Sequence, residues 1–229
     1  MREKIKFNII TLFPETVESL TDYSIIGRAI QNKKIEIKTC NLRDFGLGKY
    51  KQVDDTPYGG GAGMVLKVDI MNKAIQKARR ENAGTRIILL TPKGEKYSQK
   101  KAKELAKKEN ITLVCGHYEG VDERIRKLVD EEISIGDYIL TGGEIAAAAI
   151  VDSVTRLIPG VLGNEESTGE ESFEKNRLEY PQYTQPRDYQ GMTVPDILLS
   201  GNHTEIKKWR IEQAIKITHQ RRKDIFKND

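Results

Sequence analysis

The spacing of hydrophobic and polar positions changes period repeatedly along the chain. Phe7 to Leu12 is a short apolar run that reads as a buried strand. Pro14 to Leu20 opens a helix, and Gly27 to Gln31 belongs to a second helical piece. Ile35 to Cys40 alternates apolar and polar residues, as a half-buried strand does. Ile70, Met71, Ala74, Ile75 and Ala78 recur at helical spacing, with Asp69 as a candidate cap and Asn82-Ala-Gly84 as a stop. Strands follow at Arg86–Leu90, Ile111–Cys115 and Glu132–Ile135. Helical patterns occupy Ser98–Glu109, Glu123–Val129 and the Ala-rich stretch Gly143–Leu157. Strands alternating with helices predict an α/β fold whose mostly parallel sheet is covered on both faces.

After about residue 164 the pattern becomes one of helices and loops. Asn202-His-Thr-Glu205 has the form of a capping box, with the Asn side chain accepting a backbone N–H and Glu205 reaching back. Ile206 with Trp209, and Ile211 with Ala214 and Ile215, are expected to face inward, with Lys and Arg facing out. Between the two regions lies an acidic segment with Glu165, Glu166, Glu170, Glu171 and Glu174. Like charges at that density disfavour compact structure. The expected organisation is an α/β domain at 1–163, a flexible acidic linker at 164–177 and a small all-helical domain at 178–229.

Composition adds bounds. The chain has 229 residues, 38% hydrophobic and 31% charged, enough for a core that needs no disulfides. Cys40 and Cys115 are the only cysteines, which fits a reducing compartment. No apolar run approaches the ~20 residues of a membrane span; Ile145–Val151 stops at Asp152. The N-terminus lacks the apolar core of a secretory signal, so a cytoplasmic protein without membrane contact is expected. Lys and Arg number 38 against 34 Asp and Glu, a net +4 that alone says little about a polyanionic partner. The cations are clustered, however, at Lys93–Lys108 and again at Lys207, Lys208, Arg210, Lys216, Arg221, Arg222 and Lys223.

Candidate chemistry collects in glycine-bearing turns. Pro57-Tyr-Gly-Gly-Gly-Ala-Gly-Met64 brings backbone N–H groups close to whatever lies beside it, as a phosphate cradle or as a plain loop. It lacks the preceding buried strand of a dinucleotide fingerprint. Thr91-Pro-Lys-Gly94, Gly116-His-Tyr-Glu-Gly120 and Ile135–Gly143 each follow a predicted strand. In open α/β sheets ligands bind outside the carboxyl ends of strands, so the three turns suggest a shared cleft. Glu119 sits in the middle turn, placed to hold a ligand amine or to be merely solvated. Arg156 falls late in the Ala-rich helix, where the helix dipole alone favours a cation. His117 is one of three histidines, and no His, Cys or carboxylate spacing matches a zinc site. No Gly-x-Ser-x-Gly elbow or P-loop occurs.

Taken together these residues resemble one family. Ile10-Thr-Leu-Phe-Pro14, Arg43-Asp-Phe45, Val53-Asp-Asp55 and Pro57-Tyr-Gly-Gly-Gly61 match its first half. Gly116-His-Tyr-Glu-Gly-Val-Asp-Glu-Arg124, Ser134-Ile-Gly-Asp-Tyr-Ile-Leu140, Gly142-Gly-Glu144 and Asp152-Ser-Val154 match its centre. Ile158-Pro-Gly-Val-Leu-Gly163 and Leu198-Leu-Ser-Gly-Asn-His203 match its second half. The chain resembles the bacterial tRNA (guanine-N1)-methyltransferases, the TrmD family of the SPOUT superfamily, over nearly its whole length.

The resemblance implies a deep trefoil knot in the C-terminal part of the α/β domain, which periodicity would never suggest because knots are nearly absent from folds. It implies S-adenosylmethionine as methyl donor, with Mg2+ accompanying the substrate, and an obligate homodimer. It implies guanosine-37 of tRNA as substrate, reached through the anticodon stem-loop and bound by the C-terminal domain. By the same resemblance the cofactor pocket is Leu89, Leu90, Thr91 and Pro92, then Gly116, Tyr118 and Glu119, then Ser134, Ile135, Gly136, Asp137, Tyr138, Ile139 and Leu140, with Gly142 and Gly143. Glu119, Arg156 and a linker carboxylate would do the chemistry. The family's base is an Asp before Ser-Phe; here Glu171 precedes Ser172-Phe173, with Glu170 beside it. The family usually has Pro where Ala62 and Ala146 stand, and its Pro-His-Tyr-Thr-Arg-Pro reads Pro181-Gln-Tyr-Thr-Gln-Pro186. Other readings are another SPOUT RNA methyltransferase with a different target, an RNA-binding module without catalysis, and a dinucleotide oxidoreductase.

Overall fold

The computed structural model describes residues 4–163 and 171–227. The chain divides into two compact units, Met1–Gly163 and Asn164–Asp229. In the first unit, β1 (Ile5–Thr11) is followed by α1 (Pro14–Thr21), α2 (Ser24–Gln31) and β2 (Ile35–Asn41). Two short strands, β3 (Asp54–Asp55) and β4 (Val65–Leu66), lead into α3 (Val68–Glu81). Then come β5 (Arg86–Lys96), α4 (Gln99–Leu105), β6 (Asn110–Cys115), β7 (Glu131–Ser134) and α5 (Glu144–Thr155). A five-stranded parallel sheet runs in the order β2-β1-β6-β5-β7.

Its faces are both covered, and the strand sequences show why. On one face Ile5, Phe7, Ile9, Ile88, Ile111 and Leu113 join Val17 of α1, Ile26 of α2, Leu105 of α4 and Ile150 of α5. On the other, Ile10, Ile87, Leu89 and Val114 meet Ile70, Met71, Ala74, Ile75 and Ala78 of α3. Strands buried on both sides read as continuous apolar runs, which is the pattern of Ile87-Ile88-Leu89-Leu90. Each fully buried Ile or Leu contributes about 1.5–3 kcal/mol.

Several boundaries differ from the sequence expectation, each for a local reason. Asp69 lies in the first turn of α3, and Lys67 is its cap. The helix expected to reach Glu109 ends at Leu105, and the Glu109 carbonyl instead accepts from Lys6 N at 2.8 Å beside the start of β6. Its start at Ser98 is a true cap, with Oγ accepting from Lys101 N. The 123–129 helix is a 3-10 turn, Glu123–Lys127, capped by Asp122. Thr91–Gly94 is a bulge within β5, whose register against β7 shifts between Leu90 and Glu95.

The second unit is not all helical. Asp188–Tyr189 (β8) and Met192–Thr193 (β9) form an antiparallel hairpin. Gln190 and Gly191 turn it with φ of 54° and 83°, the signs that the tightest hairpin turns require. Strands of two residues are too short to show alternation in sequence. α6 (His203–Arg221) follows. Asn202 Oδ1 accepts from Glu205 N at 3.3 Å, but the Asn202 N–H goes to Ser200 Oγ at 3.1 Å, so Ser200 takes the place expected for the Glu205 carboxylate. Ala214 and Thr218 are the buried positions of α6, whereas Ile211 and Ile215 are exposed. Thr218 Oγ1 accepts from Leu178 N at 2.9 Å, so the small-residue line holds an extended segment. Of the acidic segment, Glu165, Glu166 and Glu170 lie outside the described residues. Among the described residues no helix is long and apolar enough to cross a membrane.

Candidate active site

A cavity of about 390 Å3 lies at the carboxyl ends of β5, β6 and β7. Leu89 and Leu90 end the apolar part of β5, and the bulge adds Thr91 and Pro92. Gly116, Tyr118 and Glu119 follow β6, while Ser134 to Gly136, Tyr138 to Leu140, Gly142 and Gly143 follow β7. Asp137 is the member of the expected pocket that does not line it; it pairs with Lys96 at 3.1 Å in an exposed position. His117, Gly120 and Thr141, which belong to the expected cleft turns, also line the cavity, as do Val121, Ile133 and Ala146, which the expected pocket left out.

Glycine makes the loops fit. A Cβ at Gly143 would come 2.7 Å from Cys115 Cα, and one at Gly142 would overlap Glu144 Oε2 and come 2.8 Å from His117 Nδ1. Gly143 N donates to Gly116 O at 2.9 Å, and His117 bridges Gly142, so the second and third loops run against each other. Ser134 Oγ ties its own loop by donating to Gly136 O at 3.0 Å. The Gly59–Gly63 stretch also lies here: Glu119 N donates to Met64 O at 3.1 Å, and a Cβ at Gly63 would overlap the Glu119 side chain. Of the two readings that the sequence left open for that stretch, the observed contact is with the Glu119 turn.

Behind the cavity a buried polar group is fully placed. Glu144 opens α5, where a carboxylate suits the helix dipole, and accepts from Thr11 Oγ1 at 2.6 Å. His117 packs on Phe13 and Tyr118 with ring centroids 5.0 and 4.8 Å away, and its Nδ1 is buried without a hydrogen-bond partner among the described residues. Tyr118 holds φ at 58°, a left-handed conformation uncommon for a residue with a Cβ. Burial, and then the Glu144 carboxylate, push the Cys115 thiol well above its usual range. Burial thus favours the neutral thiol at Cys115.

The three expected catalytic residues lie on different elements, two in the first unit and one in the second. Glu119 lines the cavity. Arg156 caps the C-terminal end of α5, while Gly143 at the opposite end faces the cavity. Glu171 belongs to the second unit, where its carbonyl accepts from Glu174 N at 3.1 Å.

Residues 5–228 match the family model described as tRNA (Guanine-1)-methyltransferase TrmD. The chain belongs to the TrmD family. A tRNA (guanine-N(1)-)-methyltransferase of Clostridium botulinum (strain Alaska E43 / Type E3) is 52% identical over 224 residues, 98% of this chain and 93% of the relative. One from Dictyoglomus turgidum is 52% identical over 222 residues, covering 97% and 90%. Among solved structures, the tRNA (m1G37) methyltransferase from Aquifex aeolicus superposes with a TM-score of 0.79 at 41% identity, covering 99% and 97%. The TrmD match spans both units, and the mixed α/β architecture with its mostly parallel sheet is shared with that neighbour.

Proposed function

We propose that this TrmD family member transfers a methyl group from S-adenosylmethionine to N1 of guanosine-37 in tRNA, in the cytoplasm and as a homodimer. The cavity at the strand ends carries the reading. It is large enough for a nucleoside-sized cofactor, since small-ligand sites span roughly 300–1,000 Å3. Its walls suit the donor: apolar Leu89, Leu90, Ile133 and Leu140 for the adenine, backbone of Gly116, Gly142 and Gly143 at close approach, and one carboxylate, Glu119, for a cationic ligand. When bound, the donor supplies a methyl carbon already activated by a sulfonium. Asp137 is left out of this assignment because of its place outside the wall.

The chain's own task is the nucleophile. Guanine N1 carries a proton and attacks poorly until it leaves. Glu171 is assigned as the acceptor of that proton, taking the position of the family's Asp. A carboxylate with an ordinary pKa of about 4 is a weak base, so proton removal must accompany methyl transfer or the anion must be stabilised. Arg156, aimed at guanine O6, is assigned that second part. Arg156 is separated from Gly143 by the length of α5, roughly 20 Å at 1.5 Å per residue. Such a span favours Arg156 serving the cavity of a second copy, which is the support for a homodimer. A trefoil knot where the 116–120 and 135–143 loops meet is proposed on the family membership. Residues 164–177 are proposed as a linker that closes the site over RNA, and 178–229 as the tRNA-binding domain, with Mg2+ accompanying the RNA phosphates.

Calorimetric titration tests the cofactor class. S-adenosylmethionine should bind with one site per chain and NAD should not. Binding of NAD alone would return the cavity to the oxidoreductase reading. Binding of neither would leave an RNA-binding module without catalysis.

A further inference from the structure

We propose that the second unit holds a pocket for one unstacked nucleotide of the RNA, separate from the methyl-transfer cavity. The proposal rests on the tRNA reading above. A cavity of about 610 Å3 opens between the extended segment Tyr180–Tyr183 and the first half of α6. Tyr180, Tyr183, His203, Lys207 and Arg210 are among its walls. The Arg210 guanidinium lies over the Tyr180 ring, 4.6 Å from its centroid. Tyr180, Lys207 and Arg210 also line a second, smaller cavity, so the stack is shared by both. Tyr183 is backed by Trp209, with ring centroids 6.5 Å apart.

This chemistry suits a base splayed out of a single-stranded loop. Such bases stack on aromatic rings and on arginine planes, and every base offers a face for it. Lys207 is exposed at the same cavity and supplies an ammonium for the adjoining phosphate. Most buried polar groups have a partner. Arg210 Nε is buried and has none among the described residues. Stacking, rather than a hydrogen-bonded acceptor at Nε, therefore fixes the guanidinium. A duplex keeps its bases stacked and cannot fill the pocket, so the ligand is a single-stranded nucleotide.

Trp209 is the only tryptophan, which makes its fluorescence a reporter of the neighbouring Tyr183 wall. The full-length protein is titrated with a tRNA anticodon stem-loop, following Trp209 emission and the anisotropy of labelled RNA. The emission should change on binding, and a blunt RNA duplex should produce no such change. Tyr183→Leu and Arg210→Lys should each weaken stem-loop binding about tenfold. Arg210→Lys keeps the charge and should leave the salt dependence unaltered, whereas Lys207→Gln should lower the slope of log affinity against log salt by about one. Wild-type affinity in both Tyr183→Leu and Arg210→Lys, with methylation intact, would overturn the pocket and leave the methyltransferase reading standing. Failure of the unaltered protein to bind the stem-loop or to methylate tRNA would overturn both.

Discussion

At Gly143 the backbone runs so close to the Cys115–Gly116 backbone that a Cβ would come 2.7 Å from Cys115 Cα, leaving no room for a methyl group. Gly143→Ala should therefore force the third loop away from the end of β6 and distort the cavity wall. Overpacking of this kind costs about 1–3 kcal/mol. The expected outcome is a thermal midpoint lowered by several degrees and a cofactor affinity at least tenfold weaker, read by unfolding and calorimetry. The sequence displayed these glycines plainly, but not which ones carry a steric requirement. That depends on the approach of Cys115 and Glu144, set by the packing of α5 on the sheet. Glu171 poses the opposite problem, because its position relative to Ser172-Phe173 is legible and its partner surface is not. Glu171→Gln keeps shape and removes basicity, so single-turnover methylation should fall about 100-fold or more with cofactor affinity unchanged. Glu171→Asp should keep measurable activity, and Glu170→Gln should be near wild type. A wild-type rate in Glu171→Gln would send the proton elsewhere.

The 3-10 turn Glu123–Lys127 follows the second cavity loop, and Asp122 anchors its start to β4. Asp122 Oδ1 accepts from Arg124 N and Nε, both at 2.9 Å, and its own N–H donates to Leu66 O at 3.0 Å. Hydrogen bonding from the Arg124 side chain holds its carboxyl below the usual range. A folded value below the unfolded one, about 3.9, means stability that is complete above it and lost as pH falls through the folded value. Asp122→Asn keeps the cap and removes the charge. The midpoint gap between the two proteins should be constant above about pH 5 and close below about pH 4. A gap unchanged into strong acid would contradict that origin. At this scale the sequence was most readable where elements are long and periodic. β1, β2, β6 and α3 lie within a residue or two of expectation because their buried faces dictate the period. The β5 bulge and the β8–β9 hairpin stayed hidden, since a register shift and a two-residue strand leave no periodic trace. In α6 the inward face runs through Ala214 and Thr218 instead of Ile211 and Ile215, because an extended segment needs small neighbours to approach the helix.

For the whole molecule, one copy of the chain carries a cavity at one end of α5 and the proposed Arg156 at the other. Light scattering at micromolar concentration should give a mass near twice 26.0 kDa. An active species at the single-chain mass would remove the argument for a shared site. The family was legible because its motifs are spread over the whole length. The methyl transfer itself has a direct measurement. Purified protein is incubated with methyl-labelled S-adenosylmethionine and tRNA bearing guanosine-37, and the product is digested and analysed by mass spectrometry. One N1-methylguanosine per tRNA, mapped to position 37 and absent when that base is adenosine, is the predicted result. A methyl group on a ribose 2′-hydroxyl or on another nucleotide, or no transfer at all, would contradict the account.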